Sequence, residues 1–312
     1  AIAPGTQGEA PHEPLPAYDR WLQRNVQAHR VPGYKAVTLS LKRAGLPPGD
    51  VTADQMSGAA ELDIPADPRP DKLQGVLDAQ GRVLLFLNTP CHNPTGYSLD
   101  AEDFRGVEEA VTRAAKRGPV IVLVDYAYAQ YGRGNLSDTI DAVLRLSKDA
   151  MLLFAWSGSK SFTQYGMRVG ALVAVCPDAG ERSRVQSALS FATRGTWSNC
   201  NAGGMAAITR CLSEPEYRAR VERERGALKT LLDGRVARWN ELASAAGLVY
   251  PRYDGGFFTT VFCQDAAGVA TRLKADGIFV VPVQGALRVG LCSVPERDIE
   301  RLVNGFRKAM NG

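Results

Sequence analysis

Lys160 closes the run Ser157-Gly158-Ser159-Lys160, and Arg168 follows in Arg168-Val169-Gly170. The lysine amine can form an imine with a carbonyl compound and can carry a proton once released. Upstream, Asp125-Tyr126-Ala127-Tyr128 places a carboxylate shortly before a phenol, and Asn93-Pro94-Thr95-Gly96 places an amide at a turn. The hydroxyls of Ser157 and Ser159 and the guanidinium of Arg168 are donor types that bind phosphate dianions.

These groups need elements that bring them together. Residues 83–87, 120–124, 151–155 and 170–175 are near-continuous apolar runs, the pattern of strands buried on both faces. Helical patterns over 101–116, 138–148 and 180–193 lie between them, so the alternation predicts an α/β fold with a mostly parallel sheet between helices. Ligands of such sheets bind beyond the carboxyl ends of the strands. The amide follows the first run, the carboxylate and phenol the second, and the lysine the third. After Ser213 the texture changes. One long helix over 214–246 leads to a strand (256–262), a helix (266–276), two short strands (278–283 and 286–291) and a last helix (295–310). This is a smaller α+β unit. The division expected is 1–72 as an atypical N-terminal segment, 73–213 as the ligand-binding large domain and 214–312 as the small domain.

The converging groups are those that a phosphorylated pyridine aldehyde requires. A carboxylate keeps the ring nitrogen protonated, an amide and a phenol hold the ring oxygen, a lysine forms the imine, and serines with an arginine hold the phosphate. Each element alone has a plainer reading. Asn-Pro-Thr-Gly is a plausible turn, an aspartate at a strand end caps helices, and Ser-x-Ser-Lys is common. Their order, each at the end of a strand, favours the shared ligand.

The 312 residues, 45% apolar and 22% charged, suit two domains or one large α/β unit. The net charge of +4 comes from scattered arginines and argues neither for nor against nucleic acid, and no nucleic-acid partner is expected. Cys91, Cys176, Cys200, Cys211, Cys263 and Cys292 lack metal-ligand spacing, and His12, His29 and His92 are too scattered for a metal site. The expectation is reduced thiols, no metal and no membrane span, in a cytoplasmic protein.

From about Leu73 onward the chain resembles the fold-type-I pyridoxal-5′-phosphate (PLP) enzymes, specifically class I aminotransferases of the aspartate/aromatic kind. The likeness rests on His92-Asn93-Pro94-Thr95-Gly96, Asp125-x-x-Tyr128, Ser157-x-Ser159-Lys160 with Arg168, Arg194-Gly195-Thr196-Trp197-Ser198-Asn199, and Arg288-Val289-Gly290. It implies transfer of an amino group between a dicarboxylic or aromatic α-amino acid and a 2-oxo acid, through a Lys160 Schiff base. Asp125 would pair with the pyridinium nitrogen, while Asn93 and Tyr128 would bond the ring oxygen. Ser157, Ser159 and Arg168 would hold the phosphate, and Arg288 would clamp the substrate carboxylate. Arg194 would reach a distal carboxylate in the neighbouring subunit of a homodimer, although aromatic-specific members keep an arginine there too. A PLP-dependent lyase or decarboxylase, or a truncated non-catalytic homologue, would share the same residues.

The N-terminal residues depart from that pattern. Pro4-Gly5-Thr6-Gln7-Gly8 reads equally as a phosphate loop or as a turn, and no aromatic residue is placed to stack on the cofactor ring. Residues 13–56 resemble a fragment of a sirohaem nitrite/sulfite reductase without the cysteine quartet of that family, so no redox function is carried over.

Overall fold

The computed structural model describes residues 71–196, 198–283 and 285–311. The suggested phosphate loop, the reductase-like stretch and Trp197 lie outside the described residues. Helix α1 (Asp71–Gln80) leads into β1 (Val83–Asn88), α2 (Ala101–Ala115), β2 (Val120–Asp125), α3 (Leu136–Leu144) and β3 (Met151–Ser157). The single turn α4 (Gly158–Ser161) and β4 (Gly170–Val175) complete the first sheet, whose order is β1-β2-β3-β4. Strands β1, β2 and β3 run parallel, with Asn88 beside Asp125, while β4 runs antiparallel to β3 and sets Gly170 beside Ser157. This is the expected α/β architecture.

The apolar runs do form the strands, but their burial differs from the expectation. In β1 and β2 one face is buried and the other half-buried. Most of β4 is exposed, Val173 at 53%. A continuous apolar run signals a sheet interior, and here β4 ends the sheet among the described residues. Helices α5 (Ala179–Thr196) and α6 (Ala202–Ser213) follow, and α5 buries none of its residues. The sequence reading had no helix at α6, where Gly203 and Gly204 weaken helix propensity. Asn201 compensates by capping it, accepting from the Gly204 amide at 3.0 Å.

Helix α7 (Pro215–Ala245) starts with proline in its first turn and carries Arg–Glu pairs one turn apart on its exposed length. Beyond it come β5 (Thr259–Phe262), α8 (Ala266–Ala275), β6 (Val281–Val283), β7 (Ala286–Val289) and α9 (Ile299–Asn311). The second sheet is antiparallel, ordered β5-β7-β6. Trp239, Leu287 and Phe306 are fully buried in the core beneath it. The first sheet packs its own core around Val122, Val124 and Leu152. Among the described residues no helix is long and apolar enough to cross a membrane, and no cluster could hold a metal ion. All six cysteines are free.

Candidate active site

The turn after β1 is held in place before any chemistry is considered. The His92 amide donates to the Tyr97 carbonyl at 2.8 Å, and the Leu99 amide to the Thr89 hydroxyl at 3.1 Å. The Tyr97 hydroxyl donates to Asp103 on α2 at 2.7 Å. Gly96 sits at φ +71°, where a Cβ would fall inside the ring of Tyr253 and against the Phe258 carbonyl. Only glycine fits that approach. From the second sheet, the Thr260 hydroxyl donates to the Pro94 carbonyl at 2.9 Å, so the turn is gripped from both units. His92 is buried, its Nδ1 lies 2.7 Å from the Thr95 hydroxyl, and burial lowers its pKa to about 3. It is therefore a neutral structural imidazole.

Asp125 ends β2 and accepts from the Ala127 amide at 3.1 Å. Burial pushes its carboxyl above the ordinary range, while the Ala127 amide, the Asn88 side chain and the charge of Lys160 act in the opposite direction. Lys160 thus lies within electrostatic reach of Asp125. The lysine Nζ stands 5.6 Å from the Tyr128 ring centre and 5.0 Å from that of Tyr165. Tyr128 is buried, and burial together with the Asp125 charge raises its pKa to about 12, so its hydroxyl keeps its proton.

A polar cup adjoins the lysine. The Ser159 amide donates to the Ser157 hydroxyl at 3.3 Å, and Arg168 Nη1 donates to the Ser159 hydroxyl at 3.3 Å. Arg168 also donates to the Tyr165 carbonyl at 2.9 Å, and its guanidinium lies 5.3 Å from the Tyr165 ring centre. On the other flank, Arg288 of β7 stacks 4.7 Å from the Phe258 ring centre and directs Nη1 to Asn93 Oδ1 at 3.5 Å. Phe257 and Phe258 in turn pack edge-on against Tyr128.

Neighbouring contacts therefore link Asn93 to Arg288 and Asp125 and Tyr128 to Lys160, while Ser157, Ser159 and Arg168 meet at the turn that carries the lysine. Arg194 stands apart. It is exposed on the last turn of α5, donates to the Ser198 hydroxyl at 2.8 Å, and lines a separate groove of 650 Å³ between β4 and α5. Asn88, Tyr131, Tyr165, Phe258 and Thr260 were missed by the sequence reading. Asn88 alone carried a local signal, as a polar residue ending an apolar strand.

The profile of the family described as aminotransferase class I and II matches residues 68–306. The chain belongs to the class I and II aminotransferase family. That match begins at residue 68, and nothing supports the reductase likeness of residues 13–56. The chain is 36% identical over 166 residues to an aspartate aminotransferase of Pseudomonas aeruginosa, covering 52% of this chain and 40% of that relative. It is 26% identical over 235 residues to a tyrosine aminotransferase of Klebsiella pneumoniae, covering 73% and 57%. The crystal structure of an aminotransferase from Anaerococcus prevotii superposes with a TM-score of 0.74 at 26% identity, over 78% of this chain and 60% of that one. This aminotransferase-family chain spans about half the length of the curated relatives it matches. Members of the family use PLP. The donor set here suits that group: a half-buried carboxylate for a cationic ring nitrogen, an amine for the aldehyde, and two hydroxyls with a guanidinium for the phosphate.

Proposed function

We propose that this chain binds PLP through Lys160 and moves an amino group between a dicarboxylic or aromatic α-amino acid and a 2-oxo acid. The observation that supports this most is the placement of the Lys160 amine within reach of the Asp125 carboxylate, with the Tyr128 ring beside it. Bound there, the cofactor supplies a protonated ring that draws electrons from the carbon losing its proton. Asp125 keeps that ring nitrogen protonated. A carboxyl that burial pushes toward neutrality gains most from a cationic partner. Asn93 and the protonated Tyr128 hydroxyl orient the ring oxygen, while Ser157, Ser159 and Arg168 hold the phosphate. Arg288, steadied by Phe258 and Asn93, presents its fork to the substrate carboxylate. Lys160, once released, carries the proton.

In this reading residues 73–213 form the cofactor-binding domain and 214–312 the small domain of a cytoplasmic homodimer. Arg194 then faces the neighbouring subunit's substrate. Its exposed place at a helix end, where it bonds Ser198, favours such a role.

The test is to add PLP to the purified protein and record the visible band of the lysine-linked cofactor. The band should appear in the wild type and vanish in Lys160→Ala. Supplying an amino acid as the only substrate should then release one 2-oxo acid per site. A wild type that stays colourless sinks the proposal, and ammonia released over many turnovers would reassign it to elimination.

A further inference from the structure

Four residues form α4, and a single helical turn cannot satisfy its own carbonyl groups. The carbonyls at its end are met from outside. The buried Tyr131 donates its hydroxyl to the Lys160 carbonyl at 2.9 Å, a carbonyl that also accepts from the Thr163 amide at 3.2 Å. Arg225, on the long helix α7, donates Nε to the Ser161 carbonyl at 3.1 Å, and its guanidinium lies 5.4 Å from the Phe162 ring centre. The Ser161 hydroxyl donates to Gln130 Oε1 at 2.7 Å. The lysine turn is thus held through the Lys160 and Ser161 carbonyls and the Ser161 hydroxyl, which leaves the lysine amine out of the brace.

We propose that Tyr131 and Arg225 are positioning residues that brace the Lys160 turn and thereby aim the lysine amine at Asp125 and the Tyr128 ring. The inference deepens the PLP reading and rests on it for its functional meaning. The brace joins two parts of the chain. Tyr131 lies just beyond β2, its ring 4.9 Å from that of Phe257, whereas Arg225 comes from the helix that leads into the second sheet. Without these two donors, the Ser161 carbonyl loses its Arg225 contact and the Lys160 carbonyl keeps only main-chain donors of its own turn, and the turn can unwind without breaking any strand pairing. A lysine on a loosened turn keeps its chemistry but loses its bearing, and misplacement of a reacting group is costly.

The test reads the amine directly, in the full chain without added cofactor. Brief acylation with trace acetic anhydride, followed by peptide mass spectrometry, gives the rate at Lys160 relative to the exposed Lys148 and Lys308. Tyr131→Phe keeps the ring and removes only the donor. It should raise the relative Lys160 rate by about threefold or more, the scale of one neutral hydrogen bond. Arg225→Gln should do the same, with Arg225→Lys restoring part of the wild-type rate. With PLP added, both variants should move the pH midpoint of the visible band by about half a unit or more. A relative Lys160 rate unchanged in both variants overturns the brace. Should Tyr131→Phe fail to fold, Arg225→Gln decides alone. If the wild type takes up no PLP, the functional reading falls, whereas the acylation rates still decide the brace.

Discussion

Thr260 on β5 and Pro94 in the turn after β1 are far apart in sequence, yet the Thr260 hydroxyl donates to the Pro94 carbonyl at 2.9 Å. Both are buried. Thr260→Val keeps the shape of the side chain and leaves that carbonyl without this donor. It should cost about 1–3 kcal/mol in urea unfolding and weaken PLP binding, because the turn carries Asn93. Thr260→Ser should recover most of the affinity for PLP. Equal affinity in Thr260→Val and wild type would separate the turn from the site.

Gly96 offers a harsher test of the same turn. At φ +71°, against the Tyr253 ring and the Phe258 carbonyl, an added methyl has no room. Gly96→Ala should destabilise by at least about 2 kcal/mol, combining left-handed strain with overpacking. Gly134, also at positive φ but with open space around it, is the control. Gly134→Ala should cost less, as read by thermal melting.

Acid should unfold the protein partly through His92. Burial holds its folded pKa at about 3 against an ordinary 6.5, so the unfolded chain takes up a proton that the folded one refuses. The stability associated with the neutral imidazole is complete above about 6.5 and is lost as pH falls toward 3. The slope of one such proton approaches about 1.4 kcal/mol per pH unit. Between pH 6 and 4, roughly, His92→Gln should flatten the fall in urea midpoint. A wild-type slope retained in the variant would place the acid sensitivity elsewhere.

The two arginines proposed for substrate should separate by substrate class. Arg288→Lys replaces a two-pronged carboxylate contact with a point charge and should lower kcat/KM for every amino acid by about tenfold or more. Arg194→Ala should lower it for aspartate by a similar factor and leave phenylalanine near wild type. Equal losses for both substrates would remove Arg194 from substrate selection.

The strands and their chemical termini were legible in the sequence because parallel-sheet strands are short apolar runs and the polar residues that end them stand out. Asp125, Lys160 and the Asn-Pro-Thr-Gly turn could be found in that way. The exposure of β4 could not, since an apolar strand reads alike at the centre of a sheet and at its edge. Helix α6 hid behind paired glycines that capping by Asn201 offsets. Tyr131 and Arg225 were invisible for another reason. They act on main-chain carbonyls 29 and 64 positions distant in sequence, and neither spacing follows any local period.

The ring of Tyr131 lies in the same buried core as Trp239, Leu287 and Phe306, although its backbone belongs with the first sheet. The first sheet cannot therefore come apart without leaving a void the size of an aromatic side chain in the second core, and the second cannot without stripping the Tyr131 ring of its packing. Heat should dismantle both in a single step, with calorimetric and van't Hoff enthalpies in agreement. Residues 214–312 produced alone would lack a piece of their own interior.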